Sequence, residues 1–150
     1  MTVAFQPFRP RLPWIGGDLQ TLRNHVLRER ADLTPWPGHR VETALDGGAG
    51  DRLVARLHRP RGSHPGRPLA VLIHGLTGCE ASIYVVRAAR VLLRAGYPVL
   101  RLNLRGAGPS RHTSLGFYHA GLTADLRAFF IGLPGPLREN GVVALGYSLG

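Results

Sequence analysis

The chain has no lysine, a single cysteine and no long apolar run, and each absence narrows what it can be. All 19 basic residues are arginine, and they are scattered rather than interleaved with aromatic rings. The formal net charge of +10 therefore points away from a nucleic-acid partner, which would call for grouped cations and stacking platforms. Together with the many alanines, glycines and prolines, it is the profile of a high-GC coding sequence. The lone Cys79 excludes an internal disulfide and fits a reducing compartment, with the cytoplasm as the default. No stretch of about eighteen apolar residues offers a transmembrane segment. Residues 1–13 lack the charged-then-apolar order of a secretory signal. The histidines form no His-x-x-x-His or Cys/His cluster, so no metal site is expected. No Walker loop is present. Gly106-Ala107-Gly108 opens like a dinucleotide fingerprint but has Arg111 at its sixth position, where glycine belongs.

What is present suits one globular domain: 150 residues, 44% of them hydrophobic. Residues 1–39 read as an irregular arm with one short helix over 18–30, capped by Asp18. Residues 40–45 and 52–58, joined by a glycine-rich turn, read as an antiparallel hairpin. A Pro/Gly/Ser-rich loop follows over 59–68. Residues 69–73 form a continuous apolar run, as a strand buried on both faces should. Residues 80–95 have helical periodicity through Ile83, Val86, Ala89 and Leu93, with Gly96 as the stop. Further strands are expected at 98–102 and 141–145, with a helix at 123–131 between them. This order predicts an α/β fold with an antiparallel hairpin, then three parallel strands and crossover helices. Such sheets bind ligands at the carboxyl ends of their strands. The loops at 74–80, 103–121 and 146–150 are therefore the ones to examine.

The last of these, Gly146-Tyr147-Ser148-Leu149-Gly150, is a Gly-x-Ser-x-Gly nucleophile elbow directly after an apolar strand. Glycines two residues to either side of the serine allow a turn too tight for a Cβ. Ser148 is the candidate nucleophile. Acyl transfer also needs two donors for the developing oxyanion. The amides of Leu149 and of Leu76, in His74-Gly75-Leu76-Thr77-Gly78, are the candidates, with Gly75 and Gly78 freeing that loop to turn. His74 is expected to hydrogen-bond its own loop rather than act as base, because triad histidines in this arrangement follow the serine. Tyr118 and His119 either shape the pocket or pack their loop. Asp125 is expected to open or solvate its helix, Arg105 to fix its own loop, and Cys79 to be a small buried side chain.

Four segments in order carry a resemblance: His74-Gly75-Leu76-Thr77-Gly78, then Asn103-Leu104-Arg105-Gly106-Ala107-Gly108, then residues 118–125, then Gly146-Tyr147-Ser148-Leu149-Gly150. Together they resemble the YheT-type esterase branch of the α/β hydrolases, related to mammalian acylglycerol lipases. Asp18-Leu19-Gln20-Thr21-Leu22 resembles that branch's N-terminal His-Leu-Gln-Thr segment, with Asp18 in place of histidine. The resemblance spans about residues 6–150. It implies ester hydrolysis through an acyl-enzyme on Ser148, oxyanion donors at Leu76 and Leu149, a small ester or lipid-like substrate, and no metal or organic cofactor. An acyltransferase on the same machinery, or a hydrolase fold used only for binding, are the alternatives. The fold's order of nucleophile, acid and histidine leads to the expectation that both partners of Ser148 lie beyond Gly150. On that expectation the chain is the N-terminal portion of a hydrolase domain over 40–150, from a partial or frameshifted coding sequence, and is inactive alone. Its last strand would then lack a neighbour that the family's sheet supplies.

Overall fold

A computed structural model describes residues 7, 9–10, 12–20, 32–45, 50–62 and 64–150. The chain divides into two compact units, Met1–Arg30 and Ala31–Gly150. In the first, residues 17–20 are helical, and the amide of Gln20 donates to the carbonyl of Gly16 at 3.1 Å. The remainder of the helix expected over 18–30 lies outside the described residues, as does most of the hairpin turn before Gly50.

The second unit is a five-stranded sheet between helices. Strands β1 (Gly38–Ala44) and β2 (Arg52–His58) form the expected hairpin. The rest of the sheet comes from β3 (Leu69–Ile73), β4 (Val99–Leu102) and β5 (Val142–Gly146), in the spatial order β1-β2-β4-β3-β5. β2 runs antiparallel to β4, while β3 is parallel to both β4 and β5. The helices are α1 (Ile83–Arg94), α2 (Thr123–Gly132) and the single turn α3 (Gly135–Arg138).

Alternation along the strands divides the core into two. Leu53, Ala55, Leu57, Val71, Leu100 and Leu102 face Phe129 and Leu133 on and after α2. Ala70, Leu72 and Val99 face Val85, Ala89 and Leu93 of α1. Side chains of successive residues point to opposite faces of a strand, so strands covered on both sides must be apolar throughout. All five residues of β3 are accordingly buried.

Helix α1 begins three residues later than its periodicity suggested, and its buried stripe is Val85, Ala89 and Leu93. Ile83 and Val86 are only half-buried. The stop at Gly96 is as expected. Gly96 adopts φ 84°, its amide donates to Leu93 and that of Tyr97 to Leu92, a Schellman closure that suits glycine. Two short helices carry no amphipathic signal and were not foreseen: α3, and the 3-10 turn Gly108–His112.

β3 is the point at which the winding reverses. The connection leaving it leads to β4 on one side, whereas β5 pairs on the other. At such a reversal the loops leaving adjacent carboxyl ends diverge and open a crevice. β5 is an edge strand among the described residues, with Val143 48% exposed.

Candidate active site

The carboxyl ends of β3 and β5 bring the two glycine-rich segments together. The amide of Tyr147 donates to Ile73 at 3.1 Å, and that of Gly150 closes a turn onto Tyr147 at 2.9 Å. Ser148, at the head of this turn, has φ 55°. Left-handed backbone is costly for a residue with a Cβ, by about 1–2 kcal/mol. It persists only where the surroundings fix it, and it presents the side chain away from the chain on either side. Ser148 is exposed, and its hydroxyl makes no hydrogen bond among the described residues.

The glycine spacing has a steric cause at each position. A Cβ on Gly146 would lie 2.3 Å from the carbonyl oxygen of Gly150, and one on Gly150 would lie 2.6 Å from that of His74. A Cβ on Gly75 would stand 2.8 Å from the Tyr147 carbonyl and 3.0 Å from the Ser148 Cβ. The loop after β3 thus rests directly against the serine turn. One on Gly78 would meet the Tyr84 hydroxyl at 2.5 Å.

The loop itself is tightly held. The amide of Gly78 donates to the Gly75 carbonyl at 3.1 Å, making a turn with Thr77 at φ 59°. A β-branched residue there is a true conformational outlier. The Gly75 amide donates to the Tyr84 hydroxyl at 3.0 Å, and the Tyr118 hydroxyl donates to the Gly75 carbonyl at 2.9 Å. Tyr84 also packs on Tyr147, with ring centroids 4.9 Å apart. Leu76 and Leu149 are both on the surface, 66% and 38% exposed.

His74 is fully buried. Its Nε2 accepts the amide of Leu104 at 3.1 Å, which fixes the proton on Nδ1, and Nδ1 donates to the Gly75 carbonyl at 2.8 Å. Burial holds its pKa below the ordinary value. With both nitrogens committed, the ring cannot take a proton from Ser148. It ties the β3 loop to the β4 loop, and it packs at right angles to the Tyr118 ring, with centroids 5.2 Å apart.

The residues after β4 do structural work that spacing alone did not reveal. The Asn103 side chain accepts from the Glu80 amide at 2.8 Å and donates to the Glu80 carboxylate at 2.9 Å and the Val54 carbonyl at 3.0 Å. Glu80 was expected to start a helix. It is instead a buried loop residue that also pairs with Arg56 at 3.0 Å, so satisfying Asn103 outweighs its helix propensity. Ser110 donates to the Asn103 carbonyl and accepts from the Val54 amide. Arg105 forks onto Asp125 at 2.8 and 2.9 Å and also pairs with Asp51. Those carboxylates hold its pKa above the usual range, that of Asp125 foremost. The expected loop-fixing role of Arg105 therefore reaches across three segments. On the α1 face, buried Arg101 donates to His58 Nε2 at 3.0 Å and to the Glu80 carbonyl. His58 Nδ1 donates to the Trp36 carbonyl at 2.7 Å.

A cavity of about 620 Å³ opens beside these loops, lined by residues 76–79, 106–108, 111–112 and 117–118. Cys79 is half-buried in its wall rather than enclosed, with Gly108 so near that a Cβ there would stand 3.1 Å from the Cys79 Cβ. No helix of the described residues is long and apolar enough to cross a membrane.

The strand order, the reversal at β3 and a serine at positive φ after β5 match part of the α/β-hydrolase fold of a solved serine hydrolase. Comparison with known proteins agrees. Abhydrolase domain-containing protein 2 of Drosophila melanogaster is 30% identical over 144 residues, 94% of this chain and 35% of that protein, and is a distant homologue. A lidless α/β serine hydrolase of Xanthomonas campestris superposes with a TM-score of 0.61 at 25% identity, over 75% of this chain and 51% of the hydrolase. A Pyrococcus furiosus esterase gives 0.61 at 20% identity, covering 77% and 44%. Est1E of Butyrivibrio proteoclasticus, in its ferulic-acid complex, gives 0.59 at 22%, covering 73% and 43%. No protein-family model matches the chain. The chain spans about a third of the curated relative's length.

Proposed function

We propose that this chain carries the nucleophile and the oxyanion loop of a serine carboxylic-ester hydrolase, a carboxylesterase or monoacylglycerol-lipase-like enzyme. The observation that carries the reading is Ser148 at φ 55°, against a β3 loop whose Gly75 leaves no room for a Cβ. Strain of this kind at the carboxyl edge of a parallel sheet is expected where a hydroxyl must be held out for reaction.

In the proposed reaction Ser148 Oγ attacks the ester carbonyl as a base takes its proton. The amides of Leu76 and Leu149 stabilise the oxyanion, each contributing on the order of 3 kcal/mol. Collapse expels the alcohol with that proton and leaves an acyl-Ser148. Water then attacks the acyl carbon by the same route and frees the acid. The esterases and serine hydrolases among the similar structures support this chemistry.

Neither buried histidine can serve as that base, which is proposed to come from elsewhere. Buried His58 and His74 have both ring nitrogens engaged, and a serine without a base is a weak nucleophile. The 150-residue chain alone should hydrolyse no p-nitrophenyl ester above background, and Ser148-dependent turnover by it would refute this assignment. For the protein as its native cells make it, added alcohols separate the two acyl acceptors: free acid as the main product means hydrolysis, and the new ester means transfer.

A further inference from the structure

The cavity beside the β3 loop has a mixed lining. Leu76 and Phe117, 66% and 76% exposed, contribute apolar surface to it together with Ala107 and Tyr118. Arg111 and His112, at the end of the 3-10 turn, line it as well. No Asp or Glu is among the lining residues. The acids nearest in the loop network are already engaged, Asp51 and Asp125 by Arg105 and Glu80 by Arg56. The Arg111 guanidinium and the His112 ring make no hydrogen bond or ion pair among the described residues. A volume of about 620 Å³ lies in the range of small-molecule sites. An unpaired cation beside apolar surface matches a ligand with a carbon chain and an anionic end.

We propose that this cavity takes an ester bearing an anionic group, phosphate or carboxylate, held by Arg111 and His112 while its chain lies against Leu76 and Phe117. The proposal names the substrate class of the serine site and so rests on the reading in the preceding subsection. It makes the pocket selective for charged over neutral esters, since a guanidinium binds an oxyanion by charge-assisted hydrogen bonds.

Binding can be measured without turnover. The chain is titrated with hexyl phosphate, hexanoate and hexan-1-ol, which share a six-carbon chain, and followed by calorimetry at about 0.15 M salt, where distant charges are screened. At least one anion should bind about fivefold or more tighter than the alcohol, and which anion gains most separates phosphate from carboxylate. Arg111→Gln with His112→Gln should reduce that preference to less than about twofold. Arg59→Gln should leave it intact. Arg59 lies at the other end of the sheet, after His58, which pairs with Val99 at the start of β4, and it removes the same charge. Equal binding of all three probes, no binding of any, or equal loss in Arg59→Gln overturns the proposal. Loss of the preference with Ser148 still labelled by a fluorophosphonate overturns this proposal alone, whereas absence of labelling with the preference retained overturns the hydrolase reading and, with it, the bound anion's assignment as substrate.

Discussion

Mild acid should destabilise this chain through two histidines that do not reach solvent. His58 and His74 are 2% and 0% exposed. Each donates from Nδ1 to a carbonyl and accepts an N–H at Nε2, so a second proton would abolish an acceptor and place a charge in the core. Burial is the first cause holding both pKa values below 6.5. Arg101 and Arg56 add repulsion at His58. The unfolded chain titrates near the ordinary value of about 6.5. Between that value and the depressed native ones the unfolded state binds more protons, so stability falls as pH falls. Above about pH 7 the effect vanishes. If both native rings stay neutral at pH 5.5, each contributes a loss of about 1.4 kcal/mol, and the pair about 2.8 kcal/mol. Carboxylates held low by arginines, Asp51 by Arg105 and Glu42 by Arg40, lose their contribution only below about pH 4.5 and fall outside this window. Urea unfolding in half-unit steps from pH 8 to 5 at constant ionic strength measures it. A level unfolding free energy between pH 7 and 5.5 would refute the neutral-imidazole assignment.

Two substitutions test the scaffold around the serine. Arg105→Gln leaves Asp51 and Asp125 without the cation that ties them together and should lower the urea midpoint at pH 7; an unchanged midpoint would contradict that. Gly75→Ala sets a methyl 2.8 Å from the Tyr147 carbonyl, so it should cost about 2 kcal/mol and abolish Ser148 labelling, and an unchanged melting temperature would show that the loops do not meet.

The parallel part of the sheet was legible because burial on both faces demands unbroken apolar runs, as in Leu69–Ile73, and because glycine marks stops such as Gly96. The serine turn was legible because its steric limits fall at fixed spacing. What could not be read were contacts distant in sequence. Nothing local shows that Asn103 satisfies Glu80, 23 residues away, or that Arg105 bridges to Asp51, 54 residues away. A polar residue directly after an apolar strand, as Asn103 is, was the available signal. Arg101 is the reverse case. It is a charge inside β4, yet it is 7% exposed because it donates to His58 and to the Glu80 carbonyl. Short turns without periodicity, such as Gly108–His112, left no trace.

Active-site labelling tests the central claim most directly. The protein as its native cells make it should react with a fluorophosphonate, and mass spectrometry should find the phosphonyl group on Ser148 alone, with no adduct in Ser148→Ala. Absence of labelling in the folded protein, or an adduct that survives Ser148→Ala, would contradict the assignment of Ser148 as the nucleophile.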